Sequence, residues 1–180
     1  MIRVYVPLAA FIIIVIFFAA GLTRDPKIIP SPFIDKPAPA FVLPELFQQE
    51  KLFSNNSLSG KVTLINVWAS WCGTCVKEHS LLLDLVHDVE AAGSGLQVIG
   101  LNYKDDRTAA IKWLERLGNP YTAILFDPDG SCGLDWGVYG VPETFVIDQY
   151  GIVRYKLTGP LTQAIISREI LPLVQRLQES

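Results

Sequence analysis

Three cysteines in 180 residues are too few to staple a scaffold together, so apolar packing must hold the fold. Histidine is scarcer still, with only His79 and His87. No second C-x-x-C accompanies Cys72-Gly73-Thr74-Cys75, which leaves a four-ligand structural zinc site short of ligands. Positive charge is not in excess: beyond the first 22 residues, 14 Lys and Arg stand against 18 Asp and Glu. A body of that sign argues against a nucleic-acid partner. Internal repeats and low-complexity tracts are absent, which excludes a repeat array.

Apolar residues are plentiful, at 50% of the chain with a mean hydropathy of +0.32. They concentrate first in Val4 to Leu22, an uncharged run long enough, at ~1.5 Å per helical residue, to cross a ~30 Å hydrocarbon core. Such a run exceeds the ~7–15 apolar residues of a cleaved signal peptide. The sequence thus predicts a short N-terminal tail over residues 1–3, a transmembrane anchor over 4–22, a linker over 23–39 and one domain over 40–180. Pro26, Pro30, Pro32, Pro37 and Pro39 exclude helix from the linker and favour extended chain. Arg3 on one side of the anchor and Arg24 and Lys27 on the other leave its orientation open.

Within the domain, Phe41-Val42-Leu43 and Lys51-Leu52-Phe53 predict a short hairpin, followed by a loop to Gly60. Val62 to Ala69 and Leu96 to Tyr103 read as strands buried on both faces. Cys75 to Ala92, free of Pro and Gly, reads as a helix ended by Gly93, and Asp106 to Leu117 as a second ended by Gly118-Asn119-Pro120. Thr122 to Phe126 is a short strand, and Glu143 to Ile147 with Ile152 to Leu157 a hairpin. Thr162 to Leu177 is a closing helix kinked at Pro172. The order βαβαββα predicts an α/β fold, one mixed sheet with helices on both faces.

The segment Trp68 to Cys75 leaves a buried strand and enters a helix. Cys72 then lies at the helix N-terminus, where unpaired N–H groups and the positive end of the dipole stabilise a thiolate. Cys72 is the candidate solvent-accessible nucleophile, and Cys75, one turn on, the resolving thiol. A metal reading competes: Cys72, Cys75 and His79 could form a Cu(I) site, since soft thiolates select that ion. Cys132 reads as a partly buried free thiol. His79 and His87, eight apart on one helix face, read as solvated side chains, and Trp113 and Trp136 as packing residues.

Trp-Cys-x-x-Cys at a strand-to-helix junction and a Val-Pro dipeptide before a later strand resemble the thioredoxin fold over residues 40 to 178. Asn102-Tyr103-Lys104-Asp105-Asp106 and Gly137-Val138-Tyr139-Gly140-Val141-Pro142-Glu143-Thr144-Phe145 narrow the resemblance to the DsbE/CcmG family of thiol:disulfide interchange proteins. That resemblance implies a protein-disulfide reductase, single-pass in the inner membrane with residues 1–3 on the cytoplasmic side and its domain in the periplasm. Its implied task is to keep apocytochrome c cysteines, or those of the haem-attachment machinery, reduced. No diffusible cofactor is implied; electrons would come from a membrane thiol reductase of the DsbD/CcdA type. Pro142 corresponds to the fold's cis-proline, Glu143 to an acidic residue near the active site, and Glu78 to a glutamate that, if buried, could exchange protons with Cys75. The chain departs from the family at Gly73, commonly proline. It also carries Asn66 where generic thioredoxins have aspartate, which throws more of the proton handling onto Glu78. Around Cys72, Trp71, Val141 and Pro142 are expected to form an apolar platform. Asp135, Glu143 and Asp105 are expected to supply negative charge, favouring a basic or neutral extended peptide.

Overall fold

In a computed structural model, the structure describes residues 32–179 together with residues 8, 11, 12, 14, 15, 17 and 18. Those seven are helical, but most of the expected anchor over 4–22 lies outside the described residues. Among the described residues, no helix is long and apolar enough to cross a membrane.

The central sheet forms from the apolar runs read in the sequence. Strands β3 (Thr63–Trp68), β4 (Gln97–Tyr103) and β5 (Ala123–Asp127) are parallel, β6 (Glu143–Ile147) pairs antiparallel with β3, and β7 (Val153–Thr158) pairs antiparallel with β6, in the order β5-β4-β3-β6-β7. A separate two-stranded ribbon joins β1 (Val42–Pro44) to β2 (Leu52–Ser54), with Leu43 opposite Phe53. A 3-10 turn, Asn55–Leu58, occupies part of the predicted loop.

Chain direction decides which face each helix covers. The crossovers β3 to β4 and β4 to β5 step the same way across the sheet, so two right-handed connections place helices α1 (Gly73–Ala91) and α2 (Arg107–Leu117) on one face. Both pack there around Trp68, Leu82, Leu85, Trp113 and Leu114, joined by Ile166, Ile170 and Val174 of the C-terminal helix. From β5 the chain steps back to β6, which carries the short helix α3 (Ser131–Asp135) to the opposite face. That helix was not anticipated: five residues, two of them Ser131 and Gly133, give no helical periodicity to read. The face it shares is otherwise covered by Ala38, Phe41, Leu43 and Leu58 against Ile65, Val67, Ile99, Leu101 and Phe145. Long helices therefore cover one face, and a short helix with the N-terminal segment covers the other.

Two features of the chain ends go beyond the sequence reading. The chain joins the fold at Phe33, ahead of the boundary at Ala40. Phe33 and Ile34 pack on the second core, Asp35 N–H donates to the Val153 carbonyl at 2.8 Å, and Val153 N–H returns a bond to Lys36 at 3.0 Å. Arg154 then holds Asp35 at 2.6 Å and Asp148 at 2.8 Å. Prolines at 32, 37 and 39 are compatible with this because an edge segment need not donate at every residue. At the other end, the closing helix comprises α4 (Gln163–Ile165), a π-helical stretch Ile166–Ile170 and α5 (Leu171–Gln178). Pro172 cannot donate to the Arg168 carbonyl, and the widened turn, with Leu171 N–H bonded to Ile166, accommodates its ring.

Candidate active site

Helix α1 begins one residue after Cys72, whose Sγ accepts the Cys75 N–H at 3.0 Å as the helix N-cap. No acidic residue occupies the first turn, so nothing there competes with a thiolate for the exposed amides. Cys72 and Cys75 are joined as a disulfide, with Cα atoms 5.3 Å apart. Only 5% of Cys72 and 2% of Cys75 is exposed. The expected open nucleophile is, in the oxidised state, a narrow window onto Cys72.

Register brings the second half of the site. Val67 of β3 lies opposite Glu143 of β6 in an antiparallel pair, so the residues just before β6 must arrive beside the carboxyl end of β3. The Val141-Pro142 peptide bond there is cis, and the Val141 carbonyl oxygen lies 3.6 Å from Cys72 Sγ. The third wall comes from the loop after β4. Asp105 accepts the Ser70 N–H at 2.5 Å and its hydroxyl at 2.6 Å, and Lys104 O accepts the Trp71 indole N–H at 2.8 Å. Trp71 stays 60% exposed, the apolar lip expected of it.

The negative charge anticipated around Cys72 is largely spent inside the protein. Asp105 is consumed by Ser70 and by Asn102, whose amide donates at 2.9 Å. Glu143 is fully buried, accepting Tyr139 N–H at 2.9 Å and lying 3.1 Å from Lys156 Nζ. Asp135 alone remains exposed. Sequence reading missed Lys156 because its counter-charge lies on a different strand, a pairing visible only once Lys156 is placed opposite Phe145.

Glu78 is buried on the inner side of α1, with 1% exposed. Its Oε1 accepts the Asn66 amide at 2.9 Å, and Oε2 accepts Leu161 N–H at 2.5 Å. Asn66, also fully buried, in turn accepts the Tyr121 hydroxyl at 2.8 Å, and its amide lies 3.4 Å from the Thr144 hydroxyl. Burial pushes the Glu78 carboxyl up to about 7, against the lowering effect of its two hydrogen bonds. Burial, assisted by the Glu78 charge, also raises the Tyr121 phenol well above its ordinary value. Tyr121 and Leu161 carry no local motif, so sequence offered no signal for them, and Thr144 was legible only as part of the Gly137-to-Phe145 motif.

His79 is corrected from solvated to buried. Its Nε2 is 3.0 Å from the Gly118 carbonyl and its ring lies edge-on to Trp113 at 4.4 Å. The cause is the end of α2: Gly118, at a φ of 92°, brings its carbonyl over α1. Burial lowers the pKa of His79, opposed by the bond to Gly118. Cys72, Cys75 and His79 form no grouped triad: among the described residues no three His, Cys, Asp or Glu side chains are placed together to hold a metal ion. His87 is exposed, beside Asp88. Trp113 and Trp136 are buried packing residues, as read. Cys132 is a buried free thiol that burial and the charges of Asp127 and Asp135 push up to about 12, which leaves it protonated and inert.

A C-x-x-C pair at a helix N-terminus, the carbonyl preceding a cis-proline beside its outer sulfur and a buried acid on the same helix define a thioredoxin-fold thiol–disulfide oxidoreductase. A Redoxin family profile matches residues 34–169. Thiol:disulfide interchange proteins DsbE from Allochromatium vinosum, Yersinia pestis and Escherichia coli K12 are 45%, 47% and 44% identical. They cover 98%, 97% and 95% of this chain and 94%, 93% and 92% of their own lengths. The crystal structure of a secreted thiol-disulfide isomerase from Corynebacterium glutamicum shares the fold, with a TM-score of 0.70 at 22% identity over 87% of this chain and 96% of that one. The chain belongs to the DsbE family of thiol:disulfide interchange proteins.

Proposed function

We propose that this protein is a membrane-anchored periplasmic reductant of apocytochrome c disulfides, or those of its assembly partners, serving haem attachment. The observation that carries the reading is full-length similarity to DsbE proteins, joined to a site in which a buried acid poised near neutrality sits on the helix of the resolving cysteine. Covalent haem attachment needs free thiols, whereas the periplasm oxidises neighbouring cysteines, so a dedicated reductant must act between the two.

The Cys72 thiolate attacks one sulfur of the target disulfide, and the other leaves as a thiolate. An extended substrate segment would lie along the Val141-Pro142 backbone, with Trp71 as its apolar contact. Cys75 then gives its proton to the Glu78 carboxylate and attacks Cys72 Sγ, releasing the second substrate thiolate. Two electrons have moved to the substrate, leaving the Cys72–Cys75 disulfide seen here. A general base acts best when its pKa is near the working pH, which is where burial places Glu78. A membrane thiol reductase of the DsbD/CcdA type would return the dithiol, and no diffusible cofactor is required.

Loss of this protein should lower covalently bound c-type haem, and an added small thiol should restore it. Cys75→Ser should trap its substrate as a mixed disulfide with Cys72, while Cys72→Ser should trap nothing. Restoration by copper alone, with normal c-type haem in the Cys72→Ser strain, would sink the proposal.

A further inference from the structure

Lys156 is a cation in a place where a cation is costly. Its side chain is 4% exposed and its partner Glu143 is fully buried. A buried pair of this kind rarely improves on well-packed apolar residues, because desolvation consumes the Coulomb gain. Its presence calls for a role other than stability.

What Lys156 touches supplies that role. Nζ donates to the Gly137 carbonyl at 2.6 Å, lies 3.1 Å from Glu143 Oε2, and sits over the Tyr139 ring at 4.8 Å and the Phe145 ring at 5.3 Å. Glu143 Oε1 accepts Tyr139 N–H at 2.9 Å. One ammonium group thus holds the beginning, the middle and the end of the segment Gly137 to Glu143. The Tyr139 ring itself is 66% exposed. Gly137 itself needs its φ of 67°, a conformation that a carbonyl anchor helps to fix. This is the segment that presents the Val141 carbonyl, 3.6 Å from Cys72 Sγ.

The geometry points to Lys156 as a positioning residue for peptide substrates: it anchors the Gly137–Glu143 segment so that the cis-proline backbone and the exposed Tyr139 ring form one wall of the groove beside Cys72. It does not touch the reacting sulfurs. The inference rests on thiol–disulfide exchange at Cys72 alone and is independent of which protein the substrate is. It also revises the charge character of the groove. With Glu143 turned inward to Lys156, the wall offers a substrate an aromatic face and backbone amide groups in place of a carboxylate, so selection is by extended backbone and apolar side chains.

A positioning role separates substrates by whether they need the wall. In the full-length chain, Lys156→Met should raise KM for a disulfide-bonded extended peptide about tenfold, since a loosened loop must be ordered on binding. The rate with a small aromatic disulfide, which meets Cys72 without the wall, should change less than twofold. Lys156→Arg, which keeps the charge and donors, should recover most of the peptide KM. Should Lys156→Met fail to fold, Lys156→Gln keeps a donor for the Gly137 carbonyl, and a peptide-selective rise of about threefold is expected. Equal losses on both substrates, or an unchanged peptide KM in a folded variant, would overturn the assignment.

Discussion

Glu78→Gln tests the site through a quantity that the fold fixes. In the unfolded chain this carboxyl titrates near its ordinary 4.5; in the folded chain burial moves it to about 7. Above about pH 7 the group is charged in both states, and the folded chain bears the full desolvation cost. Between the two values the folded chain keeps a proton that the unfolded chain has released, and below 4.5 both are neutral. Stability from this group is therefore greatest below pH 4.5 and is lost as pH rises to about 7. The total is about 3 kcal/mol at ~1.4 kcal/mol per pKa unit. Glutamine cannot ionise, so it removes the pH dependence. It also presents an amide where one oxygen accepted Leu161 N–H or the Asn66 amide, a pH-independent loss of about 1 kcal/mol. The variant should be about 1 kcal/mol less stable than the parent at pH 4 and about 2 kcal/mol more stable at pH 8. Urea unfolding of the disulfide form across that range measures the difference, and titrations common to both chains cancel in it. Parallel stability curves would show that Glu78 titrates as an ordinary surface carboxylate. The same variant, reduced, should lose the pH dependence near neutrality with which Cys75 resolves a mixed disulfide.

Gly73 stands at the first helical position with open space where a Cβ would go. Gly73→Pro should fold normally, gain about 0.4–1 kcal/mol in unfolding free energy through the unfolded state, and shift the redox potential measured against glutathione; an unfolded variant would contradict the geometry. Gly100 faces the opposite situation, since a Cβ there would lie 2.8 Å from Trp68 Nε1 and 3.0 Å from the Tyr121 ring. Gly100→Ala should cost about 1–3 kcal/mol, and a neutral result in urea unfolding would mean that this aromatic stack yields freely. A chain beginning at residue 39 forfeits the Phe33 packing, the Asp35 and Lys36 backbone bonds and the Arg154 latch. It should unfold about 2–4 kcal/mol more easily than one beginning at residue 32, and equal urea midpoints would show that this segment adds nothing. Cys132 should resist alkylation at pH 7 in the folded protein and react only on unfolding; prompt labelling would contradict its burial.

The sequence by itself determined the local elements and the reacting pair. Short, continuous β-branched runs bounded by turn residues favour buried strands over helix, and a C-x-x-C at a strand-to-helix junction places one sulfur at the helix N-terminus whatever surrounds it. The hairpin, helices α1 and α2 and the β6–β7 pair followed from spacing alone. Contacts across many residues were decided by tertiary structure, because charge and burial depend on what strand register brings opposite. Register carried Glu143 to Lys156 and away from solvent, the end of α2 carried Gly118 over His79, and β3 turned Asn66 inward to Glu78 and Tyr121. A surface glutamate and a buried one are the same letter in a sequence. Only packing, by removing water from Glu78 while leaving it two donors, made that carboxyl an acid of pKa about 7.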